Sequence, residues 1–266
     1  MMTDLPDDPG YATPGKLELI WGEGFLSPGG PAEVARIVGT ADLRGRTVLD
    51  LGCGLGGADV VLVTAHGAAS VVGADVQPDL LHAAGLRAAR LGLQGRIRYQ
   101  HIEPGPLPFA DGSFDAVFSK DALLHVADKQ ALYRDLFRTL RPGGMLLIGD
   151  WLRGPGQDID ALLSEFEAAA GHAFHMVTLP FIAECAAQAG FIRIETLDRG
   201  AWYLGEAQAE LTRLRGSLGT RFAADFGDQA VADEISFWEV LVRALDARAM
   251  APGHLRALKP VATEVA

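Results

Sequence analysis

The run Val48-Leu49-Asp50-Leu51-Gly52-Cys53-Gly54-Leu55-Gly56-Gly57 carries the first chemical signal in the chain. It places glycines directly after an apolar β-type stretch, where the lack of a Cβ lets a nucleotide-type cofactor approach the backbone. Such a turn alone does not choose the ligand. Gly52, Gly54 and Gly57 also satisfy the G-x-G-x-x-G spacing of dinucleotide sites. Asp75 ends the next apolar stretch, where a carboxylate can accept two hydrogen bonds from the ribose hydroxyls of any adenosine-containing cofactor. A nicotinamide enzyme and other adenosine-using enzymes both remain open on these residues.

The elements that must position this turn read as alternating strands and helices. Apolar runs at 47–51, 70–75, 97–102, 114–119 and 144–150 are short and not strictly alternating, as expected of strands buried on both faces of a parallel sheet. Pro78-Asp79 opens a helix running to about Leu91, because proline is tolerated in the first turn. Asp128 caps another, in which Leu132, Leu136 and Leu140 share a face until Arg141-Pro142-Gly143-Gly144 stops it. This repetition predicts a doubly wound α/β sheet. Further along, helices are expected at 159–170, 179–189, 206–215 and 231–249, with strands at 191–197 and 254–258.

Composition limits the partners. With 266 residues, 23 Lys+Arg against 34 Asp+Glu, a net charge of −11 and 49% hydrophobic residues, the chain reads as an ordinary globular protein. An acidic chain without a basic cluster argues against nucleic acid or an anionic membrane and for a small-molecule partner. The first residues are acidic, and no apolar run approaches the ~20 residues of a spanning helix, so a cytoplasmic location is expected. Cys53 and Cys185 form no disulfide framework, and no His, Cys and carboxylate cluster has ligand spacing, so no metal is expected.

Further motifs stand in register with the glycine turn. Asp50 precedes it, Glu103 follows the third strand, Pro108 to Asp115 leads into the fourth, and Leu140-Arg141-Pro142-Gly143-Gly144 comes next. This order resembles the class I S-adenosylmethionine (SAM) methyltransferases over about residues 44–150. The resemblance implies a seven-stranded, mostly parallel Rossmann-like sheet, with an N-terminal helical lid over residues 1–40 and helical additions at about 152–178 and 203–250 of a domain spanning 41–266. The chemistry agrees, since SAM has no pyrophosphate and needs a loop admitting its methionine portion, a ribose acceptor and an adenine rim.

Two segments narrow the likeness. The stretch from Glu18 to Gly30 and the stretch from Ser119 to Lys129 are similar to the phosphoethanolamine N-methyltransferases, and with Gly149-Asp150-Trp151 the similarity runs over about residues 16–151. It implies that Leu26, Ser27, Gly52, Asp75, Val76, Glu103 and Lys120 contact SAM, with Asp50, Gly54, Gly56 and Pro104 completing that site. Asp121 and His125 would face the acceptor amine. Histidine titrates near neutrality and can take the ammonium proton or orient the nitrogen. Asp121, one helical turn earlier, would share a face with it. The fifth strand and the helical region would supply Trp151, His172 and Phe174 to the acceptor.

The departures are equally specific. The family's catalytic tyrosine falls at Leu17, which can neither donate nor accept, and Tyr11 is the nearest tyrosine. Pro104 offers no N–H to an adenine nitrogen. The positions of the family's phosphate ligands carry Trp151, Ala168, His172, Phe174 and about Leu241, leaving Arg153, Arg221 or Arg243 to compensate. An acceptor less anionic than phosphoethanolamine is therefore expected, since a buried dianion needs charge-assisted donors. The reading favoured by these residues is a SAM-dependent N-methyltransferase of small molecules. An O-methyltransferase, a SAM-binding protein without turnover and, on glycine spacing alone, a nicotinamide oxidoreductase compete with it.

Overall fold

In the computed structural model, which describes residues 14–156 and 159–261, the apolar runs form one sheet in the order β3-β2-β1-β4-β5-β7-β6. Strands β1 (Thr47–Leu51), β2 (Ser70–Asp75), β3 (Ile97–His101), β4 (Phe114–Lys120) and β5 (Leu140–Asp150) run parallel. The last strand, β7 (Gly253–Leu258), inserts antiparallel between β5 and β6 (Ile192–Asp198). The order reverses beside β1, which pairs with β2 on one side and β4 on the other. In open α/β sheets the crevice at the carboxyl ends of such strands is where ligands bind.

Helices cover both faces. On one side α5 (Lys129–Thr139) and α7 (Leu179–Ala189) pack Leu132, Leu136 and Ile182 onto the sheet. On the other, α2 (Gly30–Val38) and α3 (Gly57–Thr64) bring Val34, Ile37 and Leu62, and α4 (Pro78–Arg90) covers the edge beside β3. A third apolar cluster joins α1 (Pro14–Trp21) to α6 (Asp160–Ala170), α8 (Gly200–Leu214), α9 (Ser217–Phe226) and α10 (Asp228–Asp246), around the buried rings of Tyr203, Phe222 and Trp238.

Three expectations are corrected. The fifth strand begins at Leu140 rather than Gly144: Leu140 pairs with Phe114 while Met145 pairs with Ala116, so Arg141 to Gly144 bulge out of register. Helix α8 starts at Gly200, ahead of the expected 206, and the helical addition expected at about 203–250 contains a separate helix, α9, between the two that the apolar pattern located. Gly216 and Gly219 mimic loop composition there, but Gly219 packs tightly, since a Cβ on it would lie 2.0 Å from Leu214 O.

Helix α2 is fastened to the sheet by a buried carboxylate. Glu33 of α2 accepts from Arg199 (3.0 and 2.7 Å) and lies 2.8 Å from His254 Nε2 on β7. Burial opposes its charge, but the bonds to His254 and Arg199 prevail and hold its pKa below the ordinary value.

Candidate active site

The turn after β1 is shaped by contacts only glycine permits. Gly52 has φ 77°, and a Cβ there would stand 2.2 Å from Ala122 Cβ, so both strain and volume demand glycine. Gly56 behaves differently from the expected cofactor contact. Its missing Cβ would meet Tyr99 Oη at 2.3 Å, which puts it on the core side of the turn, away from the crevice. Gly57 lies against the N-terminal segment, its N–H donating to Gly24 O at 3.0 Å. Arg87 of α4 adds a second tie, donating to Leu55 O and to Glu18 of α1.

Above this turn lies a cavity of about 1100 Å³. Gly52 and Gly54 line its floor, Leu26 and Ser27 one side, and Asp75, Val76, Glu103 and Pro104 one end. Asp75 accepts from the N–H of Gly54 (2.8 Å, Oδ2) and of Gln77 (3.0 Å, Oδ1). A carboxylate has about four acceptor sites, and with the Val76 N–H also directed at it one remains that a ribose hydroxyl can fill. Burial raises the pKa of Asp75, with the N–H groups of Gly54, Gln77 and Val76 acting against the rise. Glu103 is exposed at the rim, 3.7 Å from His101. Asp50 also borders the cavity, but burial, reinforced by the neighbouring Asp59 carboxyl, pushes its pKa well up. Asp59, wholly buried, is pushed to about 6. Withdrawal from water and their closeness thus both oppose ionisation of these two carboxyls.

The opposite end is built from side chains. Asp121 does not share a helix face with His125. It follows β4 in a left-handed conformation, φ 54°, and its N–H donates to Gly149 O at 2.8 Å. Only Leu123–His125 forms a 3-10 turn. Thus Asp121 is buried with its carboxylate 2.6 Å from Lys120 Nζ, while His125 stands exposed in the cavity wall. Lys120 also donates to Ser27 Oγ, so this cation links the N-terminal segment to this end of the cavity. His172 lines the cavity 5.6 Å from the His125 ring, and Phe174 lies 5.5 Å from His125 and 4.3 Å from His172. Trp151 stands one layer back, edge to face with Tyr203 at 4.9 Å.

The methyltransferase domain family matches residues 49–148, which covers the turn, Asp75, Asp121 and His125. Phosphoethanolamine N-methyltransferase of Triticum aestivum is 31% identical over 222 residues, 83% of this chain and 43% of that protein. Phosphoethanolamine N-methyltransferase 1 of Arabidopsis thaliana is 31% identical over 225 residues, 84% of this chain and 44% of that protein. The chain therefore spans less than half the length of these two relatives. Haemonchus contortus phosphoethanolamine N-methyltransferase 2, solved with phosphomonomethylethanolamine and S-adenosylhomocysteine, superposes with a TM-score of 0.84 at 27% identity, covering 92% of this chain and 56% of that one. Residues 49–148 of this chain thus form a methyltransferase domain. That match sets aside the nicotinamide oxidoreductase, and Gly57, whose Cβ would strike Gly24 O at 2.5 Å, is required by the packing of the N-terminal segment on the turn.

Within a class I methyltransferase framework, the departures can now be located. Leu17 lies half-buried on α1 and does not border the cavity, while Tyr11 falls outside the described residues. Arg153 pairs with Asp160 at 2.7 Å and Arg243 with Glu165. Neither they nor Arg221 reaches the cavity wall. The arginines that sequence left as compensating anchors are thus engaged or distant. Sequence reasoning missed Tyr203, whose hydroxyl lies 3.3 and 3.4 Å from the two Asp121 oxygens. Nothing local marks it, because it comes from α8, which meets β4 only through the fold.

Proposed function

We propose that the protein transfers a methyl group from SAM to the nitrogen of a small amine that carries no phosphate. One observation supports this most: a single cavity joins the partly satisfied Asp75 carboxylate at one end to Asp121 and His125 at the other. The cavity fits the cofactor, since Gly52 and Gly54 bring backbone to its floor, Asp75 retains an acceptor site, and Leu26 and Ser27 close one side. When bound, SAM supplies an electrophilic methyl on a sulfonium. Everything else is positioning and proton handling by the chain.

An amine reacts only as the neutral base, with its lone pair directed at the methyl. Asp121, anchored by Lys120 and Tyr203, presents a fixed carboxylate that can accept an N–H of the incoming amine. His125, exposed to the cavity, takes the proton before transfer and returns it to solvent. His172 and Phe174 wall off the far side and exclude water. The side chains expected to anchor a phosphate are engaged: Lys120 pairs with Asp121, and Arg153 and Arg243 are paired elsewhere. The net charge of −11 favours a small molecule over a nucleic acid. Among the described residues no helix is long and apolar enough to cross a membrane, and two buried free thiols suit the reducing cytoplasm.

Incubation of the purified protein with labelled SAM and a panel of amines, alcohols and thiols tests this reading. Methylated product from an amine, with phosphoethanolamine a poorer acceptor than its phosphate-free counterpart, is the expected result. Preference for the phosphorylated amine, or transfer only to hydroxyls, would reverse it.

A further inference from the structure

The 3-10 turn that carries His125 is pinned from beneath by two buried titratable side chains belonging to two different elements. Lys129, first residue of α5, is 3% exposed, and its ammonium donates to Leu123 O at 2.7 Å and to Val126 O at 2.5 Å. The turn is thereby closed at both ends by one side chain. Asp150, last residue of β5 and also 3% exposed, accepts from the N–H of Leu124 and of Trp151, the latter at 3.0 Å. Leu124 O accepts from His175 N–H at 2.8 Å. That bond ties the segment bearing His172 and Phe174 to the same turn.

Burying a lysine and an aspartate costs several kcal/mol per ion, and apolar residues of the same volume often serve stability as well or better. Burial pulls the Lys129 pKa down, against the pull of Asp150. It pushes Asp150 up to about 8, with the Asp121 charge adding to the rise and Lys129 opposing it. The pair therefore works against its own solvation, and what it secures is the placement of four consecutive peptide groups, 123–126, directly behind the cavity wall.

We propose that Lys129 and Asp150 are positioning residues that fix the His125 ring relative to the acceptor and to the His172–Phe174 wall. Neither borders the reacting atoms. Both act through the turn, and the proposal rests on the reading of His125 as the proton acceptor.

The test pairs Lys129→Met with the double variant Lys129→Met/Asp150→Asn, which removes both titratable groups. Proton NMR of the histidine rings, with the His125 signal identified by its loss in His125→Ala, reads the placement without any acceptor. The wild type should show one sharp His125 environment, and both variants a broadened or doubled one. The double variant should melt no lower than the wild type, while its methyl transfer falls by about 10- to 100-fold and its SAM dissociation constant stays within about twofold. An unchanged His125 signal and rate in a folded double variant would overturn the proposal. Should both variants fail to fold, hydrogen exchange on the wild type decides. Protection of the Leu124 and Val126 amides equal to that of the central strands supports the cradle, and exchange at the rate of surface turns refutes it. If no amine is methylated at all, the function proposed above fails, while the NMR and exchange outcomes still judge the cradle.

Discussion

The two ends of the cavity are made in different ways. The cofactor end is mostly backbone: Gly52 and Gly54 by their missing side chains, the N–H groups that hold Asp75, and an N-terminal segment hung from Gly24 O. Its contacts come from consecutive turns of the parallel sheet. The acceptor end is mostly side chain, and its groups arrive from β4, β5, α5, α8 and the segment before α7. A site built from backbone depends on sterics that few sequences satisfy. A site assembled from side chains on added helices can be altered one residue at a time while the cofactor end is kept.

If the two ends are separable, substitutions at one should leave the other's equilibrium untouched. The largest effect belongs to His125→Ala. Losing a positioned proton acceptor should lower kcat by about 10²- to 10⁴-fold, while calorimetric titration finds SAM affinity unchanged. A parallel loss of SAM binding would show that the ends are not independent. Asp75→Ala should do the reverse. Each charge-assisted hydrogen bond is worth about 1.5–3 kcal/mol, so the SAM dissociation constant should rise at least tenfold, while kcat at saturating SAM stays near the wild-type value. A dissociation constant that does not move would remove Asp75 from the ribose.

The same division explains what could be read from sequence. Strands 47–51 and 70–75 match the apolar runs residue for residue, because burial on both faces leaves only one pattern, and the glycine turn follows from a steric necessity. The acceptor end offered less. The four-residue spacing of Asp121 and His125 suggested a shared helix face, whereas the left-handed φ of Asp121 turns its carboxylate inward to Lys120. That conformation is uncommon outside glycine and asparagine and leaves no mark in an Asp-Ala-Leu-Leu-His string. Tyr203 sits in the first turns of a helix whose N-terminal neighbour, Arg199, is no helix cap, so even its element began later in the reading. Its role depends on an approach between residues 82 positions apart.

Between the ends stands the helical layer, and its buried acid gives a pH-dependent test. Glu210 of α8 accepts from the indole N–H of Trp21 in α1 (2.7 Å) and of Trp238 in α10 (3.1 Å). Burial pushes its carboxyl up to about 7, against the two indole donors. In the unfolded chain a glutamate titrates near ~4.3. Between these values the folded protein holds a proton that the unfolded chain has released, so stability falls as pH rises through the window and levels off above it. Asp59 and Asp150, raised to about 6 and about 8, act in the same direction. The melting temperature should therefore decline from about pH 5 to pH 8. In Glu210→Gln the decline should be shallower by the contribution of one group, about 3 kcal/mol for a shift of this size. Parallel profiles for variant and wild type would mean that Glu210 titrates normally.

The smallest expected effect is the most discriminating, because Tyr203 touches the acceptor carboxylate while belonging to the helical layer. Tyr203→Phe keeps the edge-to-face contacts with Trp151 and Trp202, whose rings lie 4.9 and 4.8 Å away. It deletes only a hydroxyl 3.3–3.4 Å from Asp121. Bonds of that length to a carboxylate already held by Lys120 are at the weak end, about 0.5–1 kcal/mol. The acceptor KM should then rise by about two- to fivefold, with kcat, SAM affinity and melting temperature close to wild type, because Asp121 keeps its ammonium partner. If kcat falls as far as it does on removing His125, the tyrosine takes part in proton removal and the division between a reacting histidine and a merely accepting carboxylate is wrong. If SAM affinity falls instead, α8 reaches through Lys120 and Ser27 to the N-terminal segment, and the cavity works as one unit rather than two ends.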